Sequence, residues 1–381
     1  MLRVALVTKQ GSKISGGVGR YVFELINALS NLKQLDISIY SLMPRFRDSI
    51  APKRLLIRTL KAFTLRDLLD KKEHYDIIHI PDLSAGETPP LFLKKFLQKT
   101  IITLHGVTPL VFPSNYILTG KYGEFIYAKF HHLRWKTIFK NEKIGAIVTV
   151  SNSSRQEIVE CLKIPSNRIR VVYSGINLKI FRKIKNEETL NELNKRFGIN
   201  APFILNANSY QPVKNIEKTI ISYYVLKKKY EPQLKRRVPK LVLAGDQPSH
   251  IKRLIYELKL HNDVIFTGFV DTKTLVKLYS TATMLISTSL HEAFSLVPLE
   301  ALATECPVVV SRIPAFMEVL KDAAIYFNPH DSFDIAEKVY MVISDESLRK
   351  NLINKGKTLI KRYSWEDTAK KYYNIYKSIA K

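Results

Sequence analysis

Short runs of β-branched and aliphatic residues recur along this chain, and the segments between them are long enough to hold a helix. Parallel strands need crossover connections of that length, whereas antiparallel strands can be joined by a two-residue turn. The alternation therefore predicts an α/β protein built on parallel, Rossmann-like sheets. Strands are predicted in the first half at residues 3–8, 37–42, 76–80, 100–104, 146–150 and 170–172, and in the second half at residues 203–207, 240–244, 264–267, 284–286, 308–311 and 324–327.

The strand pattern occurs twice, which predicts two domains rather than one. A chain of 381 residues also exceeds what a single hydrophobic core usually holds. We place the first domain at residues 1–178 and the second at residues 179–365, with a polar, partly helical connector over residues 179–200. Residues 363–367 are typical of a helix cap, so a terminal helix is predicted over residues 368–380.

The chain is strongly basic: 60 lysines and arginines against 34 aspartates and glutamates give a formal net charge of +26. This excess indicates a polyanionic partner, such as nucleotide phosphates, anionic lipid or nucleic acid, although a general lysine bias would also produce it. No run reaches the roughly 18 to 20 apolar residues that span a bilayer, and residues 1–8 lead into a strand rather than a cleavable signal, so we expect a cytoplasmic protein. Cys161 and Cys306 lack metal-ligand spacing.

Two segments carry more positive charge than the rest. Residues 45–72 alternate Arg and Lys with Leu, Ile and Phe at helical spacing, which predicts a helix with a basic rim around an apolar stripe. Such a helix suits peripheral binding to an anionic membrane surface; packing of the stripe on the first sheet, with solvated basic residues, is the equal alternative. Residues 227–240 are basic and contain prolines, which predicts an exposed loop.

The segment from Ser287 to Ser311 holds two carboxylates eight residues apart. Glu292 lies in a polar loop after a predicted strand, and Glu300 lies in the first turn of a helix that we expect to start at Pro298. Loops at the carboxyl ends of parallel strands are where such sheets bind ligands, so one carboxylate could hold a sugar and the other a ribose. The alternative is that Glu292 is a solvated loop charge and Glu300 faces the helix dipole.

The sequence HEAFSLVPLEALATECPVV, which contains both carboxylates, resembles the E-x7-E signature of the family 4 (group 1) glycosyltransferases. The resemblance implies the GT-B fold, in which two Rossmann-like domains face each other across a cleft and a C-terminal helix, here residues 366–381, crosses back to the first domain. It also implies that Glu292 contacts sugar hydroxyls and Glu300 the ribose. The backbone contacts to sugar and phosphate that it implies come from Phe294, Ser295, Leu296 and Val297.

Other segments extend the resemblance through the second half. Residues 208–215 resemble the GxxxPxKN loop of the family, which implies that Lys214, with Ser209 beside it, binds the donor phosphate. Gly268, Phe269 and Val270 resemble the GFV segment, whose backbone meets the base. The chain departs from the family at the first residue of the phosphate loop, where Asn208 replaces glycine, and in lacking the loop arginine at Ser209 and Val213. Ala293 and Ser295 replace the glycines of EGFG.

The first half matches the family at two places. GGVGRYVFEL resembles the N-terminal glycine loop, which implies that Gly17 faces the donor diphosphate. His105 follows the fourth predicted strand, and the resemblance implies that it reaches the transferred sugar. A glycine-rich turn without G-x-G-x-x-G spacing does not predict a dinucleotide site. We interpret His79, which lies within a strand, as structural.

Together these features predict a retaining, metal-independent hexosyltransferase that uses a nucleotide-diphosphate sugar as co-substrate and needs no cofactor. No D-x-D pattern is present to hold a bridging metal ion. The expected acceptor is a glycan or a lipid-linked saccharide. Two alternatives stay open: a basic nucleic-acid-binding protein, supported by net charge without a zinc-finger or RNP motif, and a GT-B-like epimerase or inactive relative, which the substituted glycines allow.

Overall fold

The structure is a computed structural model that describes residues 1–8, 16–41, 62–64, 74–83, 96–112, 144–184, 187–200, 202–234 and 237–380. It divides into two compact units, Met1–Gly175 with Tyr363–Lys381, and Ile176–Arg362. Each unit contains one parallel sheet, so the predicted α/β class with Rossmann-like sheets is confirmed. Each predicted strand is present, with its ends shifted by no more than three residues.

The first unit is built on a seven-stranded sheet. Its strands are β1 (Leu2–Thr8), β2 (Leu35–Ser41), β3 (Ala62–Thr64), β4 (Ile77–Leu83), β5 (Thr100–Leu104), β6 (Ala146–Thr149) and β7 (Ile169–Val171). Its helices are α1 (Gly16–Ser30), α2 (Thr108–Val111), α3 (Asn152–Leu162) and α12 (Trp365–Ile379). The strand order is β3-β2-β1-β4-β5-β6-β7, and β4, β5 and β6 are buried along their whole length, as expected of a parallel sheet covered on both faces.

The second unit is built on a six-stranded sheet in the order β10-β9-β8-β11-β12-β13. Its strands are β8 (Phe203–Asn206), β9 (Lys240–Ala244), β10 (Val264–Gly268), β11 (Met284–Ser287), β12 (Val308–Ser311) and β13 (Ile325–Phe327). Its helices are α4 (Glu187–Phe197), α5 (Ile216–Leu234), α6 (Ser249–Glu257), α7 (Thr272–Thr281), α8 (Leu296–Ala303), α9 (Pro314–Leu320), α10 (Ser332–Ser344) and α11 (Glu346–Leu359).

The sequence pattern did not reveal strand β3. It lies inside the basic segment 45–72, pairs in parallel with β2 and forms the edge of the first sheet, so the prediction of a helix is wrong at residues 62–64. The rest of that segment lies outside the described residues, and its proposed contact with a membrane stays a prediction. Within the part of the chain that the structure describes, no helix has both the length and the apolar character needed to cross a membrane.

The basic residues from Lys227 onward belong to helix α5 rather than to an exposed loop, so the prediction for residues 227–240 is wrong as far as Leu234. Tyr223, Leu226 and Tyr230 are buried at spacings of one helical turn, so this face of the helix packs on the core. The Tyr230 ring stacks on Tyr340 with centroids 4.5 Å apart. The basic side chains of the same stretch lie on the remaining faces of the helix. Apolar contacts on one face therefore stabilise a helix whose sequence is largely polar.

A buried chain of hydrogen bonds joins α12 to the sheet of its own unit. The Tyr372 hydroxyl lies 2.7 Å from the Tyr21 hydroxyl and 2.7 Å from Thr103 Oγ1. His79 continues the chain, with Nε2 at 2.9 Å from Thr103 Oγ1 and Nδ1 at 2.7 Å from the Tyr376 hydroxyl. Because His79 is fully buried and both ring nitrogens have partners, its interpretation as a structural residue is confirmed.

The start of α12 also passes close to the last residue of the first stretch of this unit. A Cβ atom on Gly175 would lie 2.2 Å from the backbone nitrogen of Trp365, closer than any real Cβ contact. Only glycine therefore allows the two backbones to approach to this distance. Together with the buried hydrogen bonds, this contact fixes where α12 begins.

Acid should destabilise the first unit through His79. Burial, and then the nearby charge of His105, lowers the pKa of His79 from 6.5 to about 3. The folded protein therefore binds fewer protons than the unfolded chain between these values, and stability is lost as the pH falls below 6.5. We expect the free energy of unfolding to fall by roughly 1 kcal/mol more per pH unit in the wild type than in His79→Gln. Denaturant unfolding from pH 4 to 7 measures the difference, and equal slopes would contradict it.

Candidate functional site

The loops that follow β8, β9, β10 and β11 all leave the second sheet at the same edge. This follows from the parallel pairing of these strands, which points every carboxyl end in one direction. Open parallel sheets bind ligands at this edge. The donor-binding residues predicted in the second half lie in three of these loops and in helix α8. They therefore lie at one edge of the second sheet.

Lys214 and Glu292 form an ion pair at this edge. The Nζ atom of Lys214 lies 2.6 Å from Oε1 of Glu292, and the two side chains are 19% and 8% exposed. Ser289 donates a hydrogen bond of 2.8 Å from its hydroxyl to the same carboxylate oxygen. The alternative interpretation of Glu292 as a solvated loop charge is therefore wrong, because the carboxylate is largely buried and has two donors.

Backbone and side-chain hydrogen bonds fix the two loops that carry this pair. The backbone nitrogen of Leu290 donates to the Val213 carbonyl at 2.8 Å. The Thr288 hydroxyl donates to the Asn215 carbonyl at 2.8 Å and lies 2.7 Å from the Thr219 hydroxyl at the start of α5. Asn215 itself adopts a left-handed φ of 55°, which turns the chain from the Lys214 segment into α5. Lys214 and Glu292 are therefore held in register by their own backbones.

Asn208, which replaces the glycine of the resembling family, is buried beneath this pair. Its side-chain amide donates to the Ser287 hydroxyl at 2.8 Å, and Ser287 lies 3.3 Å from Ser289, which in turn holds Glu292. A continuous polar chain therefore runs from Asn208 to the carboxylate. The sequence pattern alone predicts no role for Asn208, Ser287 or Ser289. The signal in the sequence was the polar run that follows a strand at the ligand-binding edge.

Glu300 lies within α8, which starts at Leu296 and not at Pro298 as predicted. Its side chain is 2% exposed, and the Tyr279 hydroxyl of α7 donates to its Oε2 atom at 3.1 Å. Glu300 is therefore two residues further into the helix than expected and is held by a neighbouring helix. The alternative of a first-turn glutamate facing the helix dipole is wrong, because no acidic residue lies in the first turn of α8.

The residue before α8 is Ser295, which has a positive φ of 64°. A side chain in this conformation costs on the order of 1 kcal/mol, and glycine adopts it readily, which is the physical reason for the family's glycine here. Ser295 nevertheless turns the chain so that the first backbone N–H groups of α8, at Leu296 and Val297, begin the helix at the ligand edge. Phe294 is buried beside them.

The other predicted residues of this unit lie on exposed parts of the same edge. Ser209 is exposed in the loop that leads to Lys214. Gly268 ends β10 with a φ of 67°, and an added Cβ would meet no atom within 4 Å. Phe269 follows it and is 80% exposed, and Val270 leads into α7.

Two predicted residues belong to the first unit. Gly17 lies in the first turn of α1, and a Cβ atom there would meet no atom within 4 Å. His105 follows β5, and its Nε2 atom lies 2.9 Å from the Pro81 carbonyl, which can only accept, so Nε2 carries a proton. The Tyr21 ring packs edge-on against it with centroids 4.5 Å apart. Gly17 therefore lies at the start of a helix, and His105 lies in the loop at the carboxyl end of a strand of the first sheet.

Among the residues that the structure describes, no three His, Cys, Asp or Glu side chains gather in a way that could hold a metal ion. Cys306 is buried, and burial raises the pKa of its thiol to about 12. It is therefore a protonated core residue at neutral pH, whereas Cys161 is partly exposed.

Two family models match different halves of the chain. The model described as Glycosyltransferase Family 4 matches residues 15–180, and the model described as Glycosyl transferases group 1 matches residues 191–359. The first match covers the glycine loop and His105. The second covers Lys214 and both carboxylates.

Curated relatives and solved structures resemble the chain over different lengths. An uncharacterized glycosyltransferase of Methanocaldococcus jannaschii is 33% identical over 239 residues, which are 61% of this chain and 59% of that protein. The serotype-specific mannosyltransferase WbdA of Escherichia coli is 28% identical over 321 residues, 82% of this chain and 38% of that protein. The chain thus spans less than two thirds of the length of either relative. HepE of Anabaena in complex with UDP-glucose has a TM-score of 0.73 at 15% identity, covering 98% of this chain and 99% of its own.

Removing the lysine of the ion pair should destabilise the second unit more than removing both charges. Lys214→Met leaves the Glu292 carboxylate largely buried without its cation, which should lower the free energy of unfolding by about 1–3 kcal/mol. Lys214→Met with Glu292→Gln removes the uncompensated charge and should recover most of that loss. Thermal unfolding of the three proteins without ligand measures this. A double variant as unstable as the single one would show that the pair is not coupled.

Proposed function

Because the chain belongs to the group 1 glycosyltransferases of family 4, we propose that it transfers a hexose from a nucleotide-diphosphate sugar with retention of anomeric configuration. Its fold is GT-B. The hexose is supported by the mannosyltransferase WbdA, and the nucleotide-sugar donor by the UDP-glucose complex of HepE. Retention is supported by the E-x7-E resemblance alone, and the anomeric configuration of the product, read by NMR, tests it.

The observation that carries the proposal is the Lys214–Glu292 pair at the ligand edge. A diphosphate arriving at this edge would compete with Glu292 for the Lys214 ammonium, because phosphate oxygens accept charge-assisted hydrogen bonds from lysine. The N–H groups at the start of α8 also favour an anion. Lys214 would then stabilise the charge that develops on the leaving diphosphate.

Displacement of Lys214 would leave the Glu292 carboxylate to accept hydrogen bonds from hydroxyls of the donor sugar. Ser289 keeps one oxygen of Glu292 in place through its 2.8 Å hydrogen bond, so the carboxylate would not need to reorient. A carboxylate accepts from several donors at once, which fits neighbouring hydroxyls on a hexose ring. Donor binding and sugar recognition are therefore coupled through one ion pair.

Glu300 is proposed to accept hydrogen bonds from the ribose hydroxyls. The Tyr279 hydroxyl fixes its orientation from α7, so the carboxylate is arranged before a ligand binds. Preorganisation of this kind avoids the entropic cost of ordering the side chain on binding. Ribose is common to all nucleotides, which makes Glu300 a determinant of nucleotide affinity in general.

Catalysis would rest on orientation and on charge stabilisation, with the acceptor hydroxyl attacking from the face that the diphosphate leaves. No protein nucleophile is part of the proposal. His105 is proposed to contact the transferred sugar, and Gly17 the diphosphate. The acceptor is proposed to be a glycan or a lipid-linked saccharide. Attachment to an anionic membrane through residues 45–72 belongs to this proposal, and sedimentation with anionic vesicles at low salt tests it.

Substitutions of Glu300 and Glu292 should have different effects on nucleotide binding and on transfer. Glu300→Ala should lower the affinity for a bare nucleoside diphosphate by roughly 10- to 100-fold, because it removes charge-assisted hydrogen bonds to the ribose. Glu292→Ala should leave that binding within a few-fold of wild type and lower transfer far more. Calorimetry with the diphosphate and turnover with the full donor measure the two effects. Glu300→Gln, which keeps side-chain volume, controls for loss of packing, and equal loss of diphosphate affinity in both alanine variants contradicts the assigned roles.

Chelation should leave transfer essentially intact. If Lys214 and the start of α8 supply the positive charge that the leaving diphosphate needs, EDTA removes nothing that the reaction uses. The measurement is the initial rate with and without EDTA, followed by addition of Mn²⁺ or Mg²⁺. Loss of activity that a divalent ion restores would overturn the metal-independent mechanism while leaving the donor site in place.

A further inference from the structure

A group of residues beside the proposed diphosphate site has no role in the mechanism above, although the family resemblance implies backbone contacts to the base at two of them, Gly268 and Phe269. It lies on the loops after β8, β9 and β10, at the same edge as Lys214 but on the other side of β8 from Glu292. We call Tyr210, Gly245, Asp246, Gly268 and Phe269 the base pocket. Its interpretation rests on the proposed function, because it requires that a nucleotide binds at this edge.

Two glycines shape the base pocket and hold its loops together. Gly245 and Gly268 form an isolated bridge, which ties the end of β9 to the end of β10. Both have positive φ values, 147° and 67°. An added Cβ on Gly245 would lie 3.2 Å from the Tyr210 ring, whereas one on Gly268 would point into open space. The Tyr210 ring therefore packs close to the Gly245 backbone, and the space beside Gly268 is open to a flat ligand.

Phe269 stands next to that bare surface with 80% of its side chain exposed. It is the most exposed phenylalanine among the described residues, in a unit whose other large apolar side chains are mostly buried. Stacking of a planar base on an exposed aromatic ring is favourable in water, whichever base it is. The ring thus points to a planar aromatic ligand rather than to a sugar or a phosphate.

Asp246 directly follows Gly245, is exposed, and supplies a negative charge beside the bridge between the two loops. No described residue forms an ion pair or a hydrogen bond with it, although the chain carries 60 lysines and arginines and other acids of the same unit are paired, for example Glu257 with Arg253 and Asp263 with Lys227. Burial, followed by the charge of Asp246, raises the pKa of the Tyr210 hydroxyl, so that hydroxyl stays protonated at neutral pH. The hydroxyl has no hydrogen-bond partner among the described residues.

An unpaired carboxylate repels phosphate, so Asp246 belongs with the part of the ligand that donates hydrogen bonds. Guanine presents two adjacent donors on one edge, the ring N1–H and the exocyclic N2–H, which match the two oxygens of a carboxylate. Uracil presents one N–H between two carbonyl oxygens, which a carboxylate repels. Adenine and cytosine pair one amino group with an unprotonated ring nitrogen, which also repels it.

We propose that the base pocket binds the base of the donor nucleotide, that Phe269 stacks on it, and that Asp246 selects guanine. The backbone at Gly268 to Val270 then contacts the base as the family resemblance implies, while the two side chains add stacking and selection. The donor is therefore a guanosine-diphosphate sugar. Helix α7 begins directly after this loop and carries Tyr279, the partner of Glu300, so the proposed base and ribose contacts converge on one helix.

Calorimetric titration of the full chain with GDP, UDP and ADP tests the proposal. The wild type should bind GDP at least about 10-fold more tightly than UDP or ADP. Asp246→Asn should lower the affinity for GDP by roughly 10-fold or more and remove the preference for GDP over UDP and ADP. The affinity for UDP should be unchanged or improved. Phe269→Ala should lower the affinity for all three diphosphates by a similar factor of about 10, because stacking does not distinguish the bases.

Matched controls come from exposed residues outside the base pocket. Phe333→Ala removes a phenylalanine that is 61% exposed on α10, and Asp36→Asn removes an exposed aspartate of β2; neither should change affinity. A wild type that prefers UDP or ADP, or an Asp246→Asn variant that keeps the GDP preference, overturns guanine selection but leaves the proposed donor site standing. A chain that binds none of the three diphosphates overturns both proposals.

Discussion

The arrangement of the second unit depends on one constraint, the parallel order of its sheet. Because β8, β9, β10 and β11 all point the same way, their loops meet at a single edge although they are far apart in sequence. Lys214 and Glu292 are 78 residues apart and yet form a 2.6 Å ion pair. The proposed base, ribose and phosphate contacts all follow from that geometry, since each comes from a loop or helix start at the same edge.

The ion pair explains how one lysine stands out in a chain so rich in lysine. Most lysines in the described residues are exposed or pair with exposed acids, where an ion pair contributes about 1 kcal/mol or less. Lys214 instead faces a carboxylate that is 8% exposed and already holds a hydrogen bond from Ser289. The charges compensate each other without ligand, and an incoming diphosphate would replace one anion with another. The site thereby stays charged and ordered without burying an isolated ion.

The departures from the resembling family have physical consequences that differ from one position to the next. At Asn208 the side chain fills the space that glycine would leave and extends the polar chain through Ser287 to Glu292. At Ser295 the backbone has a positive φ of 64° despite the side chain, so the turn into α8 is made at a cost in strain. The first substitution therefore adds hydrogen bonds at this edge, whereas the second adds backbone strain.

The sequence by itself determined the α/β class, the position of each predicted strand and the expectation that Lys214, Glu292 and Glu300 lie near one edge. These follow from hydrophobic periodicity and from motif spacing, which are local properties of the chain. It did not reveal β3 or the extension of α5 through Lys227, because a three-residue edge strand and a helix held by Tyr223 and Tyr230 depend on what packs against them. Only the tertiary structure decided that Glu292 pairs with Lys214, that Glu300 is held by Tyr279, and that a bridge between Gly245 and Gly268 joins the loops of Asp246 and Phe269. Contacts between distant residues are set by how strands are ordered in a sheet, and no local pattern encodes that order.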